Sequence, residues 1–313
     1  LLLILLQKKI ELSEVEINAI LDFLDDDFEQ SQNQRAFREN ENDSLKKALN
    51  KFNKEKGFWY IIPFELVNLS NQEILAKYTG WGAIPQAFDS DTGSWKDEYE
   101  QLKELLTDDE YRAARASTLN AHFTSPVVIN AIYEAFRNFG IENAKVLEPS
   151  AGIGNFIGAK PDDMNLKFSA VELESISGRI AHQLYPNEDI RINGFEKTHF
   201  KDNSFDAAVG NVPFGSYRLN DPKYNDKNFL IHDFFFAKSL DKIRPGGIVA
   251  FVTSSGTLDK SNYAARQHIA ERAELIGAVR LPNNTFKANA GAEVTSDIIF
   301  LQKRGRPITI NNE

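Results

Sequence analysis

Val146-Leu147-Glu148-Pro149-Ser150-Ala151-Gly152-Ile153-Gly154-Asn155-Phe156 joins a short apolar strand to a helix through a glycine turn. The pattern on either side of it is regular. A helical periodicity over 127–139 precedes the strand at 145–147, and strand patterns follow at 168–172, 190–193, 205–210, 248–253, 275–280 and 297–302. Helical patterns at 175–185, 233–243 and 262–272 fall between them. Strands alternating with helices predict an α/β fold: a doubly wound, mostly parallel sheet with helices on both faces. Ligands of such sheets bind beyond the carboxyl ends of the strands, where the strand order reverses.

Gly152 and Gly154 let main chain approach a ligand without a β-carbon in the way. The third glycine of a dinucleotide fingerprint is missing, since Gly158 comes one residue late, and no Gly-Lys-Ser/Thr follows. Glu148 at the strand tip would repel a pyrophosphate and suits an ammonium or sulfonium. A second acid, Glu172, ends the next strand within Ala170-Val171-Glu172-Leu173-Glu174, 18 residues after Gly154. A carboxylate there can accept both hydroxyls of a ribose. An ammonium held at one strand tip and a ribose at the next describe S-adenosyl-L-methionine. The competing reading makes Glu172 and Glu174 solvated residues at a strand end.

The fourth strand ends in Val209-Gly210-Asn211-Val212-Pro213-Phe214-Gly215. Read alone, this is a strand-to-loop turn, since Asn and Pro are turn formers. Taken with LEPSAGIGNF and AVELE, in this order and spacing, it resembles the cofactor and catalytic motifs of the adenine-N6 DNA methyltransferases. That family has the Rossmann-like fold of S-adenosylmethionine-dependent methyltransferases. Its catalytic motif is Asn or Asp, Pro, Pro, then Tyr or Phe, and this sequence departs from it at Val212. The segments YTGWG (78–82), NAHFTSP (120–126), RPGGIVAFVT (244–253), LPNNTF (281–286) and TSDIIF (295–300) extend the resemblance over roughly 70–305. They are similar to a subgroup of long proteins of plasmids, phages and conjugative elements that join a methyltransferase to a helicase.

The resemblance implies a chemistry. The lone pair of an exocyclic amine is delocalised into its ring. Two acceptors aligned with its N–H bonds localise that pair, and the family motif makes these the side-chain oxygen of Asn211 and the main-chain carbonyl of Val212. Pro213 fixes the turn, and Phe214 offers a flat face to the base. The resemblance further assigns Phe123, Thr124, Glu148, Pro149, Ala151, Gly152, Gly154, Glu172, Leu173, Phe195 and Glu196 to the cofactor. Thr124 would hold the methionine carboxylate. Phe195 and Glu196 would meet the adenine ring and its amine, shifted by one place from the usual acid. The same Asn-Pro chemistry also serves protein glutamine and an RNA guanine amine, and an idle binding module marked by Val212 is a third reading. The aromatic run in His232-Asp233-Phe234-Phe235-Phe236 reads as core or as pocket lining.

Composition sets the outer bounds. With 313 residues, 42 % hydrophobic and 26 % charged, the chain can bury a large core. The absence of cysteine excludes disulfides, thiolate metal sites and a cysteine nucleophile, and fits a reducing, cytoplasmic setting. Five histidines show no ligand spacing, so no metal is expected. No apolar run approaches the roughly 20 residues of a membrane span. The net charge of −9 is unevenly placed: residues 1–110 carry 12 Lys/Arg against 23 Asp/Glu, while 111–313 carry 24 against 22. We therefore expect an acidic, mainly helical region over 1–110 and the methyltransferase domain over 111–313. DNA is the expected partner. Arg218, Lys223, Tyr224 and Lys227 in the loop 216–228 are candidates to touch it, or are simply solvated. The chain opens without methionine and only 11 residues follow Gln302, as expected for a piece of a longer protein that lacks a large C-terminal reader.

Overall fold

A computed structural model of the chain describes residues 72, 75–82, 84–91, 93–118, 124–283 and 295–310. The helices expected within 1–56, the extended piece at 59–64, residues 73 and 74 of the helix expected at 72–77, Phe123 and the segment 284–286 lie outside the described residues.

Seven strands form one sheet among the described residues: β1 (Asn143–Glu148), β2 (Asn165–Glu172), β3 (Asp189–Ile192), β4 (Phe205–Asn211), β5 (Ile243–Ser254), β6 (Ala273–Arg280) and β7 (Ser296–Lys303). Their order is β3-β2-β1-β4-β5-β7-β6. The first five run parallel, and β7 lies antiparallel to both β5 and β6. Side chains alternate across the sheet, as the pleat requires. Val146, Ala207, Val209 and Ala250 face one apolar layer, where α3 (Pro126–Asn138) contributes Ile129, Ile132 and Phe136. Leu147, Ala208, Val249 and Phe251 face the other, where Phe234, Phe236 and Leu240 come from the helix 231–242. The central strands are covered on both sides, which is why they read as unbroken apolar runs.

Two front helices, α1 (Lys96–Leu105) and α2 (Asp108–Ser117), precede α3. The run Thr107-Asp108-Asp109-Glu110 reads as an N-cap followed by acids in the first turn, and Thr107 does cap α2, with Glu110 accepting from the Thr107 N–H at 3.0 Å to close a capping box. The second Glu110 oxygen accepts from Arg179 at 2.8 Å on the helix 175–184. Tyr78, Trp81, Phe88 and Tyr111 pack with Ile153, Ile176 and Ile180 in a third apolar cluster. The front helices thus share their core with the turn after β1 and the helix after β2.

Among the described residues the remaining α-helices are α4 (Asn155–Gly158), α5 (Ser175–Leu184), α6 (Ile231–Lys242), α7 (Gly256–Asp259) and α8 (Ala264–Arg272). β5 starts five residues earlier than the pattern predicts. Pro245-Gly246-Gly247 reads as a turn, yet it lies within the strand as an irregularity opposite Phe205 and Ala207. A β-carbon on Gly247 would stand 2.5 Å from the Asp206 carbonyl oxygen, so only glycine allows the two strands to close there.

Gly154 caps α4 with φ +83°, in the left-handed region. A β-carbon there would meet the Tyr185 ring at 2.6 Å. Gly154→Ala adds left-handed strain to overpacking and is expected to lower stability by about 1–3 kcal/mol, read as an earlier thermal unfolding transition. An unshifted transition would contradict this account of the turn.

Candidate active site

The strand order reverses at β1, which has β2 on one side and β4 on the other. A cavity of about 590 Å³ opens at the carboxyl ends of these strands. Parallel strands end on the same side, so residues far apart in sequence converge. Glu148 ends β1, Glu172 ends β2, and Asn211 ends β4. All three line the cavity, with Pro149, Ala151 and Gly152 from the glycine turn, Leu173 beside Glu172, Phe195 and Glu196 after β3, Pro213, and Thr124 before α3.

The two turns are tied directly. The Ser150 hydroxyl donates to the main-chain oxygen of Asn211 at 2.9 Å. Gly152, at φ +57°, directs its N–H to one Glu172 oxygen at 2.7 Å, and the Glu174 N–H reaches the other at 2.8 Å. Each carboxylate oxygen keeps a further lone pair for a ligand hydroxyl. Glu174 is not a solvated strand-end residue: it is buried and caps α5, accepting from the Ile176 and Ser177 N–H groups at 2.8 and 2.7 Å.

Glu148 is only 1 % exposed, and its Oε2 has no hydrogen-bond partner among the described residues. Burial, and then the nearby Glu172, push its carboxyl well above the ordinary range. Burial also lifts Glu172 to about 7, against the pull of its main-chain N–H partners. Glu148 lines the cavity, and a carboxyl in such a wall suits a cationic hydrogen-bond donor. The donor set fits S-adenosyl-L-methionine: an acid for its ammonium, and a second acid with open lone pairs for its ribose. Leu173 is 70 % exposed at the same cavity, an apolar surface on which a ring could rest.

Other expected residues have other places. Gly154 is not among the cavity-lining residues; it shapes the turn and packs on Tyr185. Val212 is 1 % exposed, its side chain lies in the core between the sheet and α6, and its N–H donates to the Val252 carbonyl at 3.0 Å. Phe214 is half-buried and does not line the cavity. Phe195 packs on Phe234 and Phe235 while lining the cavity. The aromatic run divides: Phe235 lines the cavity, as does the neighbouring Ile231, and Phe234 and Phe236 are core. Two of the loop cations have acidic partners within the chain, Lys223 with Asp202 and Asp241 at 3.2 and 2.7 Å, and Lys227 with Asp226 at 2.6 Å, while Arg218 donates to the Asn228 carbonyl at 3.3 Å. The Tyr224 hydroxyl donates to Asp241 at 2.7 Å.

Several cavity residues were not legible beforehand. Ala113, Ala116 and Ser117 of α2 form part of the wall, as do Tyr217 and Leu219. Lys238 of α6 is buried, donates to the Glu196 carbonyl at 3.0 Å and the Asp221 carboxylate at 2.8 Å, and lies 5.2 Å from the Phe195 ring centre. It joins the turn after β3 to the loop after β4. No local motif marks it, since its partners lie 17 and 42 residues away. Among the described residues no group of three or more His, Asp or Glu is arranged to hold a metal. None of their helices is long and apolar enough to cross a membrane.

Known proteins extend this picture. The family model of the Eco57I restriction-modification methylases matches residues 156–286, a span that includes Asn211 to Phe214. The defense against restriction protein B of Escherichia phage P1 is 33 % identical over 192 residues, which are 59 % of this chain and 8 % of that protein. The chain therefore spans less than a tenth of that relative's length. A solved structure from Listeria monocytogenes, assigned to the class I S-adenosylmethionine-dependent methyltransferases, superposes with a TM-score of 0.53 at 18 % identity, covering 99 % of this chain and 87 % of that one. The fold is that of the S-adenosylmethionine-dependent methyltransferases. Its sequence relatives come from restriction–modification systems and a phage.

In this methyltransferase fold the buried Glu148 and the half-buried Glu172 make stability depend on pH. Both carboxyls titrate above the unfolded value of 4.5, Glu172 near 7, so over that interval the folded chain binds more protons than the unfolded one. Their contribution is most favourable below about pH 4.5 and declines as the pH rises through about 7. Glu148→Gln, which fixes the neutral form, is expected to melt close to wild type near pH 5 and above it near pH 8. Parallel melting profiles across that range would contradict the burial argument.

Proposed function

We propose that the chain transfers a methyl group from S-adenosyl-L-methionine to the N6 amine of adenine in DNA, with the base turned out of the duplex into the cavity. The observation that carries this reading is the meeting of Glu148, Glu172 and Asn211 in one cavity at the point of strand reversal. Glu148 would hold the ammonium, Glu172 the ribose hydroxyls, Thr124 the methionine carboxylate, and Phe195 with Glu196 the adenine ring and its amine. When bound, the cofactor supplies a methyl group already activated on a sulfonium. The protein's part is then positioning and electrostatics.

On the acceptor side, the Asn211 side-chain oxygen and the Val212 main-chain oxygen take the two N–H bonds of the amine and localise its lone pair. The Ser150 bond to the Asn211 carbonyl holds this turn against the glycine turn. The departure at Val212 supports an active turn. A proline there would lose the N–H that donates to Val252, and the valine side chain fills the core instead. Sheet pairing and burial thus fix a turn that a second proline ring would otherwise stiffen. Extruding a base costs a few kcal/mol, comparable with the roughly 1–3 kcal/mol of stacking on an aromatic.

The match to a restriction-modification methylase family supports DNA as the acceptor over a protein glutamine or RNA. Further domains of a longer polypeptide, a helicase among them, belong to the same proposal through the resemblance drawn from the sequence.

Asn211→Ala is expected to retain cofactor binding and lose about 10²–10³-fold in turnover, as for removal of one preorganised polar group. The measurement is transfer of radiolabelled methyl to separate pools of DNA, RNA and protein. Label confined to RNA or protein, or wild-type turnover by the variant, would overturn the proposal.

A further inference from the structure

We infer that Tyr217 determines acceptor specificity by presenting the aromatic face on which a planar heterocycle stacks. This rests on the methyl-transfer reading above and sharpens it, since the family motif gives the stacking role to Phe214. Among these two rings, Tyr217 lines the cavity and Phe214 does not. Tyr217 lines the cavity together with Asn211, Pro213, Leu219, Ile231 and Phe235. Beside the amide of Asn211, these walls are flat or apolar, which suits a ring carrying an exocyclic amine better than a flexible side-chain amide.

The ring is held in place by three independent features. A β-carbon on Gly215 would stand 2.6 and 2.7 Å from two carbons of the Tyr217 ring, so the ring lies across the glycine and needs it. The Ile231 N–H donates to the Tyr217 carbonyl at 3.0 Å and fixes the main chain from the start of α6. Further along, the loop is anchored by the buried Asp221–Lys238 pair at 2.8 Å and by the Tyr224–Asp241 hydrogen bond. The Tyr217 residue is nevertheless 45 % exposed. A large aromatic left half in water, at a cavity, on a loop pinned at Tyr217 itself and again at Asp221 and Tyr224, is an arrangement made for a ligand.

The test compares wild type, Tyr217→Ala, Tyr217→Phe, Gly215→Ala and Phe214→Ala in the full chain, with radiolabelled cofactor and whichever nucleic acid pool the wild type labels. Tyr217→Ala and Gly215→Ala are expected to raise the KM for nucleic acid about tenfold, with kcat and cofactor Kd changed by less than about twofold, because one stacking face is lost. Tyr217→Phe restores the wild-type KM, and Phe214→Ala changes it less than Tyr217→Ala does. A role in folding alone would shift the melting temperature and would not separate KM from kcat. If the wild type labels nucleic acid but Tyr217→Ala keeps its KM, or Tyr217→Phe falls as far as Tyr217→Ala, the role of Tyr217 is overturned while the methyl-transfer reading stands. If the wild type labels only protein, or no pool, both are overturned.

Discussion

The pairing of β1 with β4 is the constraint on which the site depends. Val146 lies opposite Ala207 and Leu147 opposite Ala208, and this register delivers the glycine turn and the Asn211 turn side by side at the same edge of the sheet. The Ser150–Asn211 hydrogen bond then locks one turn to the other. A shift by one residue would send each strand's side chains to the opposite face. It would exchange the residues of the two apolar layers and separate the acids from the asparagine.

The cavity is polar chemistry set in an apolar frame. The buried Glu148 and the half-buried Glu172 at its wall oppose folding of the free chain when ionised, and the same desolvation strengthens any interaction with a cationic donor. Glu172 is partly compensated by two main-chain N–H groups; the Oε2 of Glu148 has none. Natural sites commonly retain such unfavourable burial where function needs it.

The parts around the cavity are coupled through side chains rather than through the sheet alone. The Glu110–Arg179 pair and the Tyr78–Trp81–Phe88 cluster bring α2 against α5, so that the small residues Ala113, Ala116 and Ser117 become cavity wall. On the other side, Lys238 links the Phe195–Glu196 turn to Asp221 in the loop that carries Tyr217. Burial pulls the Lys238 ammonium toward its neutral form, opposed by its hydrogen bond and charge partner Asp221. Removing either partner would leave a buried charge uncompensated. The turn after β3 and the loop after β4 are therefore positioned from one helix.

The sequence by itself determined the strand–helix alternation, the helix cap at Thr107 and the acids and asparagine at the strand ends. These are local matters of periodicity, capping and turn chemistry, each complete within a few residues. It also marked Gly152 and Gly154, though contact with Tyr185 and the left-handed backbone of Gly154 assign that glycine to the shape of the turn. Only the tertiary structure decided that Val212 uses its N–H in the sheet, that Glu174 is a buried cap, that Lys223 is engaged by two aspartates, and that Tyr217 lines the cavity instead of Phe214. The reason is physical: burial, pairing and cavity shape depend on residues brought together from distant positions, and no local pattern along the chain encodes those distances.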